Sequence, residues 1–302
     1  KFITIYKKAL DRLNISFFET MTALSLWYFH KNNVDLAILE TGLGGRLDSV
    51  SACSPKLIVF TPISLDHQHI LGNTIEEITT EKAGAIKNRV PCISSQQPKT
   101  VRNILNSRAL ELKTTVKYVK AQTNRPINLK GKHQTMNATL AIQSVKYFTE
   151  FNITNTHINK GLNNIQWPAR IQKIYDKPLT FFDVAHNETS FLYLCDYINS
   201  LDINENKTLI IALQEHKHLY SALEKILKIF DSIIITQTNT RNFLSITKLN
   251  KLLDSPTVTL TPNPEKAIMH YKKQSSGCVV IAGSHYLGPV ISKIFKISFD
   301  NI

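Results

Sequence analysis

Residues 34–87 concentrate side chains that hold metals and phosphates: Glu40, a glycine run with Gly42, Gly44 and Gly45, Arg46 and Asp48, then Asp66 and His67, then Lys82. A carboxylate with an imidazole suits a divalent cation, and Mg²⁺ completes a small set of protein ligands with water and phosphate oxygens. Glu40 and His67 are therefore candidate metal ligands, provided the strands before them are neighbours. Each also has a plainer role, Glu40 as a helix-capping acid and His67 as a loop histidine held by a carbonyl. The nearby His69 is expected to be a bystander. Glycines let backbone N–H groups approach an anion, and Arg46 offers a planar fork to phosphate or carboxylate. Taken alone, such a run is more often a tight turn. It lacks the third glycine of a dinucleotide fingerprint, and G-x-x-x-x-G-K-[ST] occurs nowhere in the chain. Lys82 sits in Glu-Lys-Ala-Gly on an expected helix, where a lysine is usually a solvated charge.

These residues need elements to position them, and in open α/β sheets ligands collect beyond the carboxyl ends of strands. Glu40 closes an apolar run over 35–40, and Asp66 with His67 follows another over 57–63; both runs predict buried strands. Ser16 with Glu19 forms a capping-box pattern, and Phe17, Met21, Leu24 and Tyr28 lie on one apolar face, which predicts a core helix. Thr74 with Glu77 caps the helix that carries Lys82. A strand over 90–94 and helices from about 98 and over 133–148 complete the first half. The second half begins after Trp167-Pro168-Ala169-Arg170. There, strand runs at 179–184, 208–213, 232–236, 257–260 and 278–282 alternate with helical stretches such as 190–198 and 220–230. The alternation predicts an α/β fold with mostly parallel sheets and a domain boundary near Ile171.

Composition agrees with this outline. With 302 residues, 43% hydrophobic and 20% charged, the chain can bury a large core and suits two domains. Its four cysteines are scattered without a C-x-x-C pair, which argues against a disulfide framework or structural zinc and predicts a cytoplasmic setting. No run reaches the roughly 18 apolar residues of a membrane span. A net charge of +13 raises nucleic acid, acidic lipid or an acidic small substrate as partners. The lysines are nevertheless spread along the chain, with no basic run interleaved with aromatics, which argues against nucleic acid.

The residues Glu40-Thr41-Gly42-Leu43-Gly44-Gly45-Arg46-Leu47-Asp48, Leu65-Asp66-His67, Leu71-Gly72-Asn73-Thr74, Glu81-Lys82-Ala83-Gly84, Trp167-Pro168-Ala169-Arg170 and Asp183-Val184-Ala185-His186-Asn187 occur in this order. Together they resemble the folylpolyglutamate/dihydrofolate synthase family of the Mur ligase superfamily. The resemblance implies a Mur ligase central domain over 1–170, P-loop-NTPase-like, and a smaller Rossmann-like C-terminal domain over 171–302. It implies an ATP- and Mg²⁺-dependent ligase that adds L-glutamate to a folate or dihydropteroate through an acyl phosphate, acting as a cytoplasmic monomer on small molecules. Glu40 and His67 then match Mg²⁺ ligands, and Lys82 matches a lysine that is carbamylated in the family. Arg46 belongs to the signature turn and joins Lys82 as a catalytic candidate. Gly131-Lys132-His133-Gln134 with Asn137 resembles a segment near the adenine. Arg170 matches an arginine at the phosphates, and Asp183 with His186 matches ATP-facing residues. Gly283-Ser284-His285-Tyr286-Leu287 resembles a structural turn.

The chain also departs from the family pattern. The family's P-loop, G-T-N-G-K-G-S, falls upstream of Lys1, so the expectation is an N-terminally truncated member whose central domain lacks that portion. Asp48-Ser49-Val50-Ser51, Ala169, Glu188 and Glu215-His216-Lys217-His218 replace other residues of the family at ligand-facing turns. Two alternatives stay open at this point: a catalytically silent relative that binds nucleotide or a partner, and a basic nucleic-acid-binding protein.

Overall fold

A computed structural model describes residues 1–215, 217–238 and 243–299; His216 of the Glu215–His218 segment lies outside the described residues. The backbone packs as two units, Lys1–Val119 and Lys120–Ile302, whereas the sequence divides near Ile171, so residues 120–170 are assigned differently.

Unit 1 runs through α1 (Phe2–Leu13), α2 (Phe17–Lys31), a 3₁₀ turn (Ser49–Ala52), β1 (Ile58–Phe60), α3 (Gln68–Leu71), α4 (Ile75–Ala83), β2 (Cys92–Ser95), α5 (Lys99–Glu111) and β3 (Val116–Val119). The three strands form a parallel sheet in chain order, with Ile58 opposite Cys92 and Cys92 opposite Val116. The helices α4 and α5 cover it, burying Ile78, Ala83, Val101, Leu105 and Ala109 against Phe60 and Cys92. Both capping boxes form as the sequence predicts, Ser16 with Glu19 on α2 and Thr74 with Glu77 on α4.

Two expectations fail in this unit. Residues 35–40 do not make a strand: their backbone forms no hydrogen bond among the described residues, and β1 pairs only with β2. An apolar run becomes a strand only when a neighbour takes its N–H and C=O groups. Here Ile38 stands 89% exposed. The apolar face of α2 is likewise not core: Phe17 is 82% exposed, Met21 and Tyr28 are exposed, and Leu24 is only half-buried.

Unit 2 runs through α6 (His133–Tyr147), α7 (Asn155–Asn164), β4 (Gln172–Tyr175), β5 (Leu179–Phe182), α8 (Glu188–Asn199), β6 (Lys207–Ile211), α9 (Ala222–Ile229), β7 (Ser232–Ile235), α10 (Ile246–Leu252), β8 (Val258–Leu260), α11 (Pro264–Lys272), β9 (Cys278–Ala282) and α12 (Gly288–Phe295). Its six strands lie in the order β4-β5-β9-β6-β7-β8, all parallel except β4. Alternate residues of each strand enter opposite cores. Leu209, Ile211, Ile233 and Val280 pack with α8, α9 and α10, while Ile210, Ile234 and Ile281 pack with α11 and α12. Burial on both faces explains why these strands read as unbroken apolar runs. No helix among the described residues is long and apolar enough to cross a membrane.

Candidate active site

In unit 1 the glycine run is a closed loop. Asp48 accepts the Leu43 N–H with one oxygen (2.8 Å) and the Val50 N–H with the other (2.9 Å), so one carboxylate ties the loop and caps the 3₁₀ turn. The Ser51 hydroxyl donates to the Gly45 carbonyl. Arg46 turns away from this ring. Its N–H donates to the Glu81 carbonyl (2.8 Å), and its guanidinium forks onto the Glu81 carboxylate, with Nε 3.0 and 3.2 Å from the two oxygens and a terminal nitrogen at 2.9 Å. The fork that the sequence offers to a phosphate or substrate carboxylate is thus filled by the chain's own Glu81.

Beyond β1, the Asp66 carboxylate accepts the His67 N–H (2.7 Å), and the His67 Nε2 lies 4.0 Å from its second oxygen. His67 takes a left-handed φ of +53° at the start of α3. His69 lies exposed, its ring 6.4 Å from that of His67. Lys82, half-buried on the last turn of α4, has its amine pushed down by burial, with the Asp66 carboxylate pulling the other way. Asp66 therefore links His67 and Lys82 electrostatically. Glu40 remains exposed on the unpaired stretch. Among the described residues no three His, Cys, Asp or Glu side chains converge to hold a metal. The donor types suit Mg²⁺, but the strand expected before Glu40 does not form, so the neighbouring-strand condition for pairing it with His67 is not met.

Gln97, which sequence reasoning missed, organises this end of the sheet. Its amide oxygen accepts the Ile63 N–H (3.0 Å), and its NH₂ reaches the Thr61 carbonyl (2.8 Å) and the hydroxyls of Ser94 (3.2 Å) and Ser95 (3.0 Å). It joins the ends of β1 and β2 and so anchors the segment that leads to Asp66 and His67. The only sequence signal was a glutamine between an apolar strand and a helix-opening proline.

In unit 2 three separate segments meet. His133 opens α6 and stacks on Tyr193 of α8, with ring centroids 4.7 Å apart. The Gln134 amide oxygen is taken by Asn137 (3.0 Å), which turns the Gln134 NH₂ onto His133 Nε2 (3.0 Å). The ring proton therefore resides on Nδ1, and this buried N–H has no acceptor. Burial first, and Arg170 second, push the imidazole below its ordinary range, which keeps it neutral at pH 7. An orphaned buried donor beside a stacked ring is the kind of feature a base-bearing ligand completes.

Arg170 belongs to a turn held by the loop after β5. Asp183 accepts the Ile171 N–H with one oxygen (2.7 Å) and the Ala185 N–H with the other (2.6 Å), and the Val184 N–H donates to the Ala169 carbonyl (3.1 Å). Burial raises the Asp183 carboxyl above the usual aspartate range, against the pull of those two N–H groups and, more weakly, of Arg170 and His186. His186 gives its Nδ1–H to the Val184 carbonyl (2.8 Å). Thus His133, Gln134, Asn137, Arg170, Asp183 and His186 form one neighbourhood. Glu188, where the family motif has proline, accepts from the N–H (2.9 Å) and hydroxyl of Ser221 and joins the starts of α8 and α9.

No family model matches the chain. It is 29% identical to the folylpolyglutamate synthase of Lacticaseibacillus casei, over 77% of this chain and 62% of that protein. It is also 29% identical to the dihydrofolate synthase/folylpolyglutamate synthase of Bacillus subtilis strain 168, over 92% of this chain and 72% of that one. The chain thus spans between about three fifths and three quarters of these two relatives. In three dimensions it is similar to the Mycobacterium tuberculosis folylpolyglutamate synthase complexed with ADP and AMPPCP, with a TM-score of 0.87 at 22% identity, covering 98% of this chain and 76% of that one. In sequence the chain is thus similar to folylpolyglutamate and dihydrofolate synthases, and it shares the α/β fold of the Mycobacterium tuberculosis enzyme.

Proposed function

We propose that the chain serves an ATP-dependent ligase that joins L-glutamate to a folate or dihydropteroate. In this scheme the γ-phosphoryl group of ATP passes to the substrate carboxylate, giving an acyl phosphate and ADP. The α-amino group of glutamate then attacks the acyl carbon, and phosphate leaves. Neither step needs a nucleophilic side chain; both need charge placed around the phosphoryl group. Mg²⁺, with His67 among its ligands, would neutralise the transferring phosphate. Lys82, as a carbamate, would orient a second cation, and the amine that burial holds down is the form that takes up CO₂. His133, Gln134 and Asn137 receive the base, Arg170 faces the phosphates, and Asp183 with His186 fixes the turn that carries Arg170.

The observation that carries the nucleotide half of this proposal is the buried, partnerless Nδ1–H of His133. The relatives' names supply the ligase half. The test is ADP affinity by calorimetry together with glutamate-dependent phosphate release on dihydropteroate or a reduced folate. His133→Ala and Arg170→Ala should each weaken ADP binding at least tenfold. An unchanged affinity in both variants would refute the nucleotide site, and release that does not depend on glutamate would refute the ligase.

A further inference from the structure

Four contacts fasten the glycine loop to the last turn of α4. The Arg46 guanidinium forks onto the Glu81 carboxylate at 2.9 to 3.2 Å, and the Arg46 N–H reaches the Glu81 carbonyl at 2.8 Å. Two glycines let the backbones close. A Cβ on Gly45 would stand 2.7 Å from the Lys82 carbonyl oxygen, and one on Gly84 would stand 2.3 Å from the Arg46 Cβ. The loop side of this contact is itself braced by Asp48 and Ser51. Residues 45 and 46 therefore lie directly against residues 81–84, the turn from which Lys82 projects.

We propose that Arg46 and Glu81 are positioning residues, a clamp that seats the glycine loop on the end of α4 and so fixes the direction in which Lys82 leaves the helix. Neither side chain touches the reacting atoms. The geometry favours this over direct phosphate binding by Arg46, because a bidentate carboxylate at hydrogen-bond distance already satisfies the fork. The half-buried state of Lys82 is what such seating produces. The proposal rests on Lys82 being the functional amine of the ligase described above.

The test separates the clamp from the ligase. Reductive ¹³C-methylation of the chain gives each lysine an NMR signal, and that of Lys82 is assigned by its loss in Lys82→Arg. At one fixed pH the wild-type Lys82 signal should stand apart from those of exposed lysines. Glu81→Gln and Arg46→Gln should each move it into the exposed-lysine envelope, and the charge-swapped pair Arg46→Glu with Glu81→Arg should return it at least halfway. A Lys82 signal unmoved in both single variants, or singles that shift and a swap that does not restore, would overturn the clamp. In the ligase assay the single variants should lower kcat at least tenfold with KM for ATP changed less than twofold. A tenfold rise in KM at unchanged kcat would instead make Arg46 a nucleotide ligand. If the wild-type chain releases no phosphate, the ligase assignment falls while the NMR arm still decides the clamp.

Discussion

Ala169 holds a φ of +56° in the turn that presents Arg170, where the family has glycine. The left-handed conformation costs an L residue roughly 1–2 kcal/mol. Against that stand the extra unfolded-state freedom of glycine, about 0.4–1 kcal/mol, and one buried methyl, about 0.8 kcal/mol. The terms nearly cancel, so Ala169→Gly should change stability by less than about 0.5 kcal/mol in denaturant titration. Ala169→Val, β-branched and buried at the same φ, should cost about 2–3 kcal/mol. Lys82 shows the opposite balance, with function favoured over stability. Its folded pKa lies below the unfolded value, so the fold penalises the cation fully below the folded pKa, and the penalty fades as pH rises toward 10.5. Lys82→Met should therefore abolish turnover yet raise the melting midpoint at pH 7, and the gain should shrink by pH 10. At this scale the sequence offered Arg46 as a fork without showing its occupant, since Glu81 lies 35 residues away. Gln97 was invisible for the same reason, because its four partners come from two strand ends that meet only in the fold.

Among the elements, α4 carries the most exposed dependence on local chemistry. Its capping box joins the Thr74 hydroxyl to the Glu77 N–H (3.2 Å) and returns the Glu77 carboxylate to the N–H groups of Thr74 (3.1 Å) and Asn73 (2.7 Å). Thr74→Ala should cost about 1 kcal/mol in chemical denaturation. The N–H of Thr74, then that of Asn73, holds the Glu77 carboxyl below its ordinary 4.5. Its contribution is thus complete above 4.5 and disappears as pH falls through the lower folded value, so Glu77→Gln should lose its effect on stability in acid. Such caps were legible because their partners sit three residues apart. The strands β5, β6, β7 and β9 were legible because helices cover both faces and most of their positions are apolar. The stretch 35–40 has the same composition but no pairing neighbour, and composition does not report neighbours. β3 was missed because Lys117 and Tyr118 break its apolar character on an edge strand.

For the molecule as a whole, the two units differ in completeness. Unit 2 encloses its sheet between two apolar clusters, whereas unit 1 has one, on the side of α4 and α5. Exposed apolar side chains in unit 1 include Phe17 on α2, Val59 on β1 and Ile38 in the unpaired stretch. Strand order was the least legible property at this scale: β9, last in the chain, lies between β5 and β6, and no local pattern announces that insertion. The unpaired stretch 35–40 has a consequence for the behaviour of the protein in a concentrated solution. Apolar side chains beside unclaimed N–H and C=O groups form a template on which a like segment from another molecule can add. Static light scattering of the 302-residue chain should rise faster than linearly with concentration, and Ile38→Lys should suppress the rise while leaving the melting midpoint within about 1 °C, since the side chain buries almost nothing. A change at one short segment would then alter colloidal stability without altering the strength of the fold.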